Sequence, residues 1–503
     1  MTEFFDIDIQ RLLHIFQYDA SSPMIFSSGI FLFLFLAFSL IYWMLQKKDT
    51  ARILFVTLFS YYFYYKSSGF YFFLLGVVTV SDYLIALGIH RWRSRWLVAL
   101  SVLIDLSLLA YFKYTNFLGE LFVADWQHLD IFLPVGISFF TFQSLSYTID
   151  VYRGNIKPLD RLLDYAFYVS FFPQLVAGPI VRARDFIPQI RRPLMVSNEM
   201  FGHGVYLILI GLFKKCVISD YISVNFVERV FDQPLLYSGV ENLLAMYGYT
   251  LQIFCDFSGY SDMAIGIALL LGFEFPKNFD SPYKSRSITE FWRRWHISLS
   301  SWLKDYLYIS LGGNRKGKIR QYLNLLITML LGGLWHGASL NFILWGGAHG
   351  LLLCFDKMWH SLCPVLSPLR FLPSRKNPDA GVHGFTEVIL AFVGGIITFH
   401  IVALLWILFR ASSFEIARDM VSQMLFSFQP QIFMQWVSSY WAVGLLMVVG
   451  YLLHFMPQTF SEGMKTLVIK SPLLLQALFI VALAYLIIQI KSSEVQPFIY
   501  FQF

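Results

Sequence analysis

Residues Asn278–Gly350 read NFDSPYKSRSITEFWRRWHISLSSWLKDYLYISLGGNRKGKIRQYLNLLITMLLGGLWHGASLNFILWGGAHG. Two histidines stand out in this stretch. His296 lies in a basic, tryptophan-rich segment, FWRRWHISLSSW, and His336 lies in an apolar run with glycine on both sides, LLGGLWHGA. From Glu290 to Ser310 the pattern is helical, with Phe291, Trp295, Leu299 and Trp302 on one stripe and Arg294, Ser298 and Lys304 elsewhere. Such a helix is amphipathic and lies along a surface or vestibule; it does not span a membrane. The segments after it, Tyr322–Leu334 and Ser339–Phe355, are apolar enough to be embedded.

The rest of the chain has the composition of a membrane scaffold. Of its 503 residues 57% are hydrophobic and 14% charged, against about 25% charged in soluble domains. The mean hydropathy is +0.59. The 52 phenylalanines and 28 tyrosines suit a lipid-facing surface with interfacial aromatics. The net charge of +6 is what cytoplasmic loops supply, and no basic tail points to nucleic acid. Cys216, Cys255, Cys354 and Cys363 show no CxxC spacing and read as small buried hydrophobes. No secretory signal is visible; residues 1–23 read as an amphipathic interfacial segment and 24–503 as the transmembrane domain.

A span needs about 20 apolar residues. Met24–Leu45 is the first, and a helical hairpin follows over about Ile53–Tyr65 and Phe70–Gly88. The loops Gln46–Arg52 and His90–Arg95 are basic and therefore cytoplasmic, which places the N-terminus outside. Helices follow at about Trp96–Tyr114, Leu133–Asp150, Met200–Phe213, Asn242–Leu271, Phe385–Phe409, Trp436–Phe455 and Leu473–Ile490. Pro173, Gly178 and Pro179 break the apolar segment near 171–182, which reads as half-buried or re-entrant. Lys214 and Lys215 fall at an end expected to be external, against the charge rule. The fold expected is all-α and polytopic, with roughly ten or eleven spans plus re-entrant and amphipathic helices.

Ionisable residues inside membrane segments are costly, so they are the first candidates for chemistry. His336 is one, and Gly332, Gly333 and Gly337 would let a ligand approach the backbone; a helix–helix hydrogen bond is the alternative. Arg293 and Arg294 can hold phosphates. Trp292, Trp295 and Trp302 either stack on an adenine or anchor in the interface. Asp82, Asp105 and Asp262 read as helix–helix polar contacts, and His349, His400 and His454 as structural. A metal site is not expected, because the histidines are scattered without carboxylates at ligand spacing.

FWRRWHISLSSWLKDYLYISLGGN, followed 40 residues after its histidine by LGGLWHGAS, resembles the membrane-bound O-acyltransferase family, and within it the bacterial alginate O-acetyltransferase branch. Seven further stretches are similar to that branch in the same order: Phe26–Leu36, Leu108–Phe117, Leu133–Gly154, Phe171–Arg182, Leu251–Gly266, Trp406–Ala411 and Pro497–Phe503. The amphipathic extension before Phe26 departs from it. The resemblance implies that an acyl group, acetyl in this branch, passes from a cytoplasmic acyl-CoA thioester to hydroxyls of an extracytoplasmic polysaccharide, directly or through a periplasmic or membrane-anchored partner. It implies a multi-pass protein of the bacterial inner membrane in contact with lipid, its helices forming a central funnel, with no permanently bound cofactor. His336 would be the general base and His296 would orient the thioester or polarise its carbonyl, with Trp292, Arg293, Arg294, Trp295, Ser298, Trp302 and Trp335 around the donor. A D-alanyl transferase using a carrier-protein donor on teichoic acid is the alternative within the family. A non-enzymatic polysaccharide exporter is the alternative outside it, though the sequence has no nucleotide site to drive one.

Overall fold

The computed structural model describes residues 15–20, 23–367, 384–490 and 498–499. Most of the expected interfacial segment 1–23, most of the proline- and charge-rich stretch 363–384, which the sequence suggests is a surface loop, and most of the C-terminal PFIYFQF lie outside them. Helices dominate, and no strand occurs among the described residues. Four helical runs are long and apolar enough to cross a bilayer: Asp49–Trp92, Arg95–Phe122, Gly239–Leu270 and Phe385–Arg410. Two bent pairs add to these if each counts as one span. The larger number expected from the sequence includes shorter or less apolar helices such as Gly29–Met44 and Lys318–His336.

The chain forms two compact units. The first comprises 1–196 and 271–274. Its principal helices are α1 (Gly29–Met44), α2 (Asp49–Ser68), α3 (Phe72–Trp92), α4 (Arg95–Leu109) and α5 (Ile137–Arg153). The run Asp49–Trp92 is interrupted at Gly69, whose φ of +61° suits glycine. Without that break, 44 residues would extend about 66 Å, twice a hydrocarbon core. Asp82 accepts from Ser101 Oγ at 2.8 Å, as expected of a helix–helix polar contact. The segment 171–182 is buried throughout, with only a four-residue helix, Phe172–Leu175; it is not a clean span.

The second unit comprises 197–270 and 275–503. Its principal helices are α6 (Asn198–Leu212), α7 (Gly239–Leu270), α8 (Ile288–Arg294), α9 (Ile297–Trp302), α10 (Lys318–His336) and α11 (Leu340–Leu362). They continue with α12 (Phe385–Arg410), α13 (Ile432–Ser439), α14 (Trp441–Phe455), α15 (Gln458–Lys470) and α16 (Leu473–Ile490). α6 and α7 cross at small residues. A Cβ on Gly211 would lie 2.6 Å from the Gly259 carbonyl, and one on Gly266 would lie 2.6 Å from the Gly204 carbonyl. This is the close backbone approach that membrane helices use in place of hydrophobic burial.

The same crossing explains the two lysines that the charge rule did not. Lys214 pairs with Asp262 at 2.7 Å, and Lys215 pairs with Asp256 at 2.6 Å and Asp220 at 2.8 Å. Their positions answer to these carboxylates, not to the side of the membrane. Two expectations fail here. The single helix Trp436–Phe455 is two helices meeting at 91°. Tyr440 stands at the corner, its ring 5.0 Å from Phe226. The continuous helix Glu290–Ser310 breaks at His296, for reasons that belong to the site.

Candidate functional site

Ser287 opens α8 as a capping residue. Its Oγ accepts from the Glu290 N–H at 3.1 Å, while the Glu290 carboxylate accepts from the Arg286 N–H at 2.9 Å. The other Glu290 oxygen takes Arg294 at 3.0 and 2.8 Å. The helix stops there because the preceding strap pulls the backbone away. Asp280 N–H donates to the Arg294 carbonyl at 2.9 Å, and Ile297 N–H donates to the Asn278 carbonyl at 2.9 Å. Between these bonds His296 takes φ 42°, ψ 56°. A left-handed conformation costs a non-glycine residue on the order of 1–3 kcal/mol and persists only where its surroundings enforce it.

Asn278 is the enforcer. Its Nδ2 donates to Ser261 Oγ at 3.1 Å, which turns Oδ1 toward the histidine. That oxygen lies 3.1 Å from His296 Nδ1 and accepts from Ser298 Oγ at 2.9 Å and the Ser298 N–H at 3.2 Å. An amide oxygen only accepts, so Nδ1 carries the proton and Nε2 the lone pair. Asn278, Ser298 and His296 are all buried. Burial pushes the His296 pKa down to about 3, so the ring is neutral at ordinary pH.

His336 is the last residue of α10. Its position follows from how α10 meets α11. A Cβ on Gly333 would collide with the Phe342 carbonyl, and one on Gly346 with the Met329 carbonyl, so the two helices touch backbone to backbone. A Cβ on Gly337 would collide with the Phe342 ring. The space expected to admit a ligand at Gly333 and Gly337 is thus occupied by α11 itself; those glycines serve packing. The His336 ring is buried in an aromatic box. It meets Trp335 at 5.0 Å, Trp345 at 5.2 Å and Phe409 at 5.3 Å, each steeply inclined.

Trp335 joins the two histidines. Its ring centroid lies 6.1 Å from His296 and 5.0 Å from His336. The residues that the sequence brought together on a surface helix are mostly interior. Trp295 packs on Trp406 at 4.8 Å and Phe291 at 5.6 Å and is 1% exposed. Trp292 donates from its indole to His349 Nδ1 at 3.3 Å, and Trp302 packs on Tyr306 at 5.1 Å. Ser298 shares the Asn278 oxygen with His296. Arg294 is engaged by Glu290 and by Asp280, whose carbonyl it meets at 3.1 Å. Arg293 is exposed, as are Lys304, Arg315, Lys316 and Lys318.

Sequence reasoning missed Asn278, Glu290, Trp345, Trp406 and Phe409. Asn278 is 18 residues from His296, and no periodicity links them. Trp406 and Phe409 did carry a signal, being part of the stretch Trp406–Ala411. Two other stretches also converge here. Phe257 stands edge-on to His296 at 4.6 Å, and Phe498 packs on Phe257 at 5.6 Å and Tyr260 at 4.8 Å. Ile499 N–H donates to Asp256 at 2.8 Å.

Known proteins resemble this chain over most of its length. A sequence model of the membrane-bound O-acyltransferase family matches residues 160–378. The probable alginate O-acetylase AlgI of Pseudomonas aeruginosa is 40% identical over 422 residues, which is 80% of this chain and 75% of the relative. The peptidoglycan O-acetyltransferase of Helicobacter pylori is 36% identical over 444 residues, 80% of each. The teichoic acid D-alanyltransferase of Bacillus subtilis is 30% identical over 298 residues, 56% of this chain and 69% of the relative.

Proposed function

Because the chain belongs to the membrane-bound O-acyltransferase family and is a multi-pass membrane O-acyltransferase, we propose that it moves an acetyl group from acetyl-CoA on the cytoplasmic side to hydroxyls of an extracytoplasmic polysaccharide. The observation that carries this reading is the pair of buried histidines that both pack against Trp335. Activated thioesters are made in the cytosol, so acylating an external sugar requires the acyl group to cross the bilayer. A periplasmic or membrane-anchored partner would relay it where the polymer does not reach the enzyme.

In this reading His336 is the general base. It takes the proton from the acceptor hydroxyl as the oxygen adds to the thioester carbonyl carbon. The tetrahedral intermediate collapses with cleavage of the C–S bond, and the imidazolium returns the proton to the leaving thiolate. The aromatic box around His336 excludes water, which would otherwise compete as an acceptor. His296 has a different task. With its proton on Nδ1 facing Asn278, Nε2 presents a lone pair, which cannot polarise a carbonyl. Of the two roles implied for it, orienting the donor by accepting a hydrogen bond is the one its tautomer permits. Arg293 and the exposed cations from Lys304 to Lys318 supply the positive surface for the donor's phosphates; Arg294 is already matched to Glu290.

Acetyl transfer is favoured over D-alanyl transfer because the acetyltransferase relatives match over 80% of the chain and the D-alanyltransferase over 56%. The test is His336→Ala in the producing cell. Polysaccharide acetylation should vanish with the protein still inserted at wild-type level, and retained acetylation would remove His336 from the chemistry.

A further inference from the structure

Two cavities on the second unit lie next to one another beside α12. The first, of about 440 Å³, is lined by Tyr283, Lys284, Arg286, Gly395 and Ile396 among others. The second, of about 810 Å³, is lined by Tyr247, Trp436, Trp441 and Met447 among others. Both are lined by Phe399 and Phe455, so the two parts of the groove adjoin at these rings. One end is cationic and the long remainder is apolar and aromatic. Both volumes fall within the roughly 300–1,000 Å³ of small-molecule pockets.

We propose that this groove is a binding site for one anionic glycerophospholipid, with its phosphate at Lys284 and Arg286 and an acyl chain along Phe399 into the trough beside Trp436. Two observations support the assignment. The first is charge. Lys284 and Arg286 line the head end, and the carboxylates of Asp280 and Glu290 are taken up by Lys277 and Arg294. Lys284 spends one donor on the Met456 carbonyl at 2.7 Å and keeps two for a phosphate. The second is the bend of 91° between α13 and α14; Trp436 before it and Trp441 after it both line the trough.

The head end is also where the groove meets the catalytic region. Lys284 and Arg286 lie on the strap that leads into α8. On that strap the Tyr283 N–H donates to His454 Nε2 at 3.1 Å and the Tyr283 hydroxyl to the Thr250 carbonyl at 2.6 Å. A lipid phosphate held at Lys284 would brace the strap from its open side.

The measurement is lipid retention by donor-free protein, which does not depend on acyl transfer. Protein purified in mild detergent is incubated with phosphatidylglycerol or phosphatidylcholine and read by native mass spectrometry. One phosphatidylglycerol should be retained per chain, on the order of tenfold or more in preference to phosphatidylcholine. K284Q/R286Q should erase the preference, and the charge-conserving K284R/R286K should keep it. Gly395→Leu should block the groove without a clash, since a Cβ there has only the Ser285 carbonyl within 4.0 Å. Equal retention of both lipids overturns the proposal. So does an unchanged preference in K284Q/R286Q, or undiminished binding in Gly395→Leu. Displacement of the lipid by millimolar glycerol phosphate would mean that the cations take a free phosphate and that the trough is not part of the site.

Discussion

Replacing Asn278 with alanine should damage His296 without touching it. The side chain is 1% exposed, and its oxygen takes His296 Nδ1, Ser298 Oγ and the Ser298 N–H at 3.1, 2.9 and 3.2 Å, while its nitrogen serves Ser261. Each buried donor left without a partner costs about 1–3 kcal/mol. These groups share one acceptor, so their losses do not add; about 2–4 kcal/mol is the expected sum. The strained backbone at His296 then loses one of its restraints, and Nδ1 no longer has to hold the proton. Thermal unfolding in detergent should shift down by several degrees. Coenzyme A release from acetyl-CoA should fall by more than the stability loss explains, with the larger change in KM if His296 orients the donor. Ser261→Ala, which frees only the amide nitrogen, should cost far less in both assays. An Asn278→Ala protein with wild-type melting and wild-type KM would refute the view that this amide sets His296.

Other outcomes follow from the same structure. Arg294→Gln removes the partner of a Glu290 carboxylate that is 4% exposed and should lower stability by about 1–3 kcal/mol, less than a fully buried pair because Arg294 is itself 28% exposed. Arg293→Gln should leave melting unchanged but weaken coenzyme A binding and its salt dependence by calorimetry; unchanged affinity would move the donor site to the arginine-rich flank 182–192. Protonation gives a third check: below about 6.5 the unfolded chain takes a proton at His296 that the fold excludes down to about 3. Stability should therefore fall with decreasing pH through that window, by up to about 1.4 kcal/mol per pH unit, and His296→Gln should reduce the slope. A slope identical in the variant would show that His296 titrates normally. On topology, a single cysteine replacing Asp130, in a chain stripped of its four native cysteines, should react only with reagent on the external face; reaction from the cytoplasmic face alone would invert the orientation.

The all-α membrane fold was legible because it rests on composition and long apolar runs, which no tertiary detail reverses. His296 and His336 were legible through the stretches around them. Their surroundings were less so, because periodicity describes a helix as though it stood alone. Phe291, Trp295 and Leu299 do form an apolar stripe, but the Asn278 strap competes for the backbone at His296 and ends the helix there. The tryptophans then turn into protein, where Trp406 and Trp345 cover them, instead of toward lipid or an adenine. Glycines around His336 read as open space, since a sequence cannot say which neighbour fills the place of a missing Cβ; here α11 does. Lys214 and Lys215 look anomalous as loop charges and ordinary as partners of Asp262 and Asp256, which are 48 and 41 positions away.

The proposed transfer takes an acyl group from the cytoplasmic face to an external hydroxyl through His336. Inverted membrane vesicles from producing cells test it most directly, because they expose the cytoplasmic face and enclose the polymer with any partner. Acetyl-labelled acetyl-CoA added outside should place label on the enclosed polysaccharide in wild type and none in His336→Ala at equal protein level. Label on the polymer in the His336→Ala vesicles, or labelling only when acetyl-CoA is sealed inside with the polymer, would contradict the account.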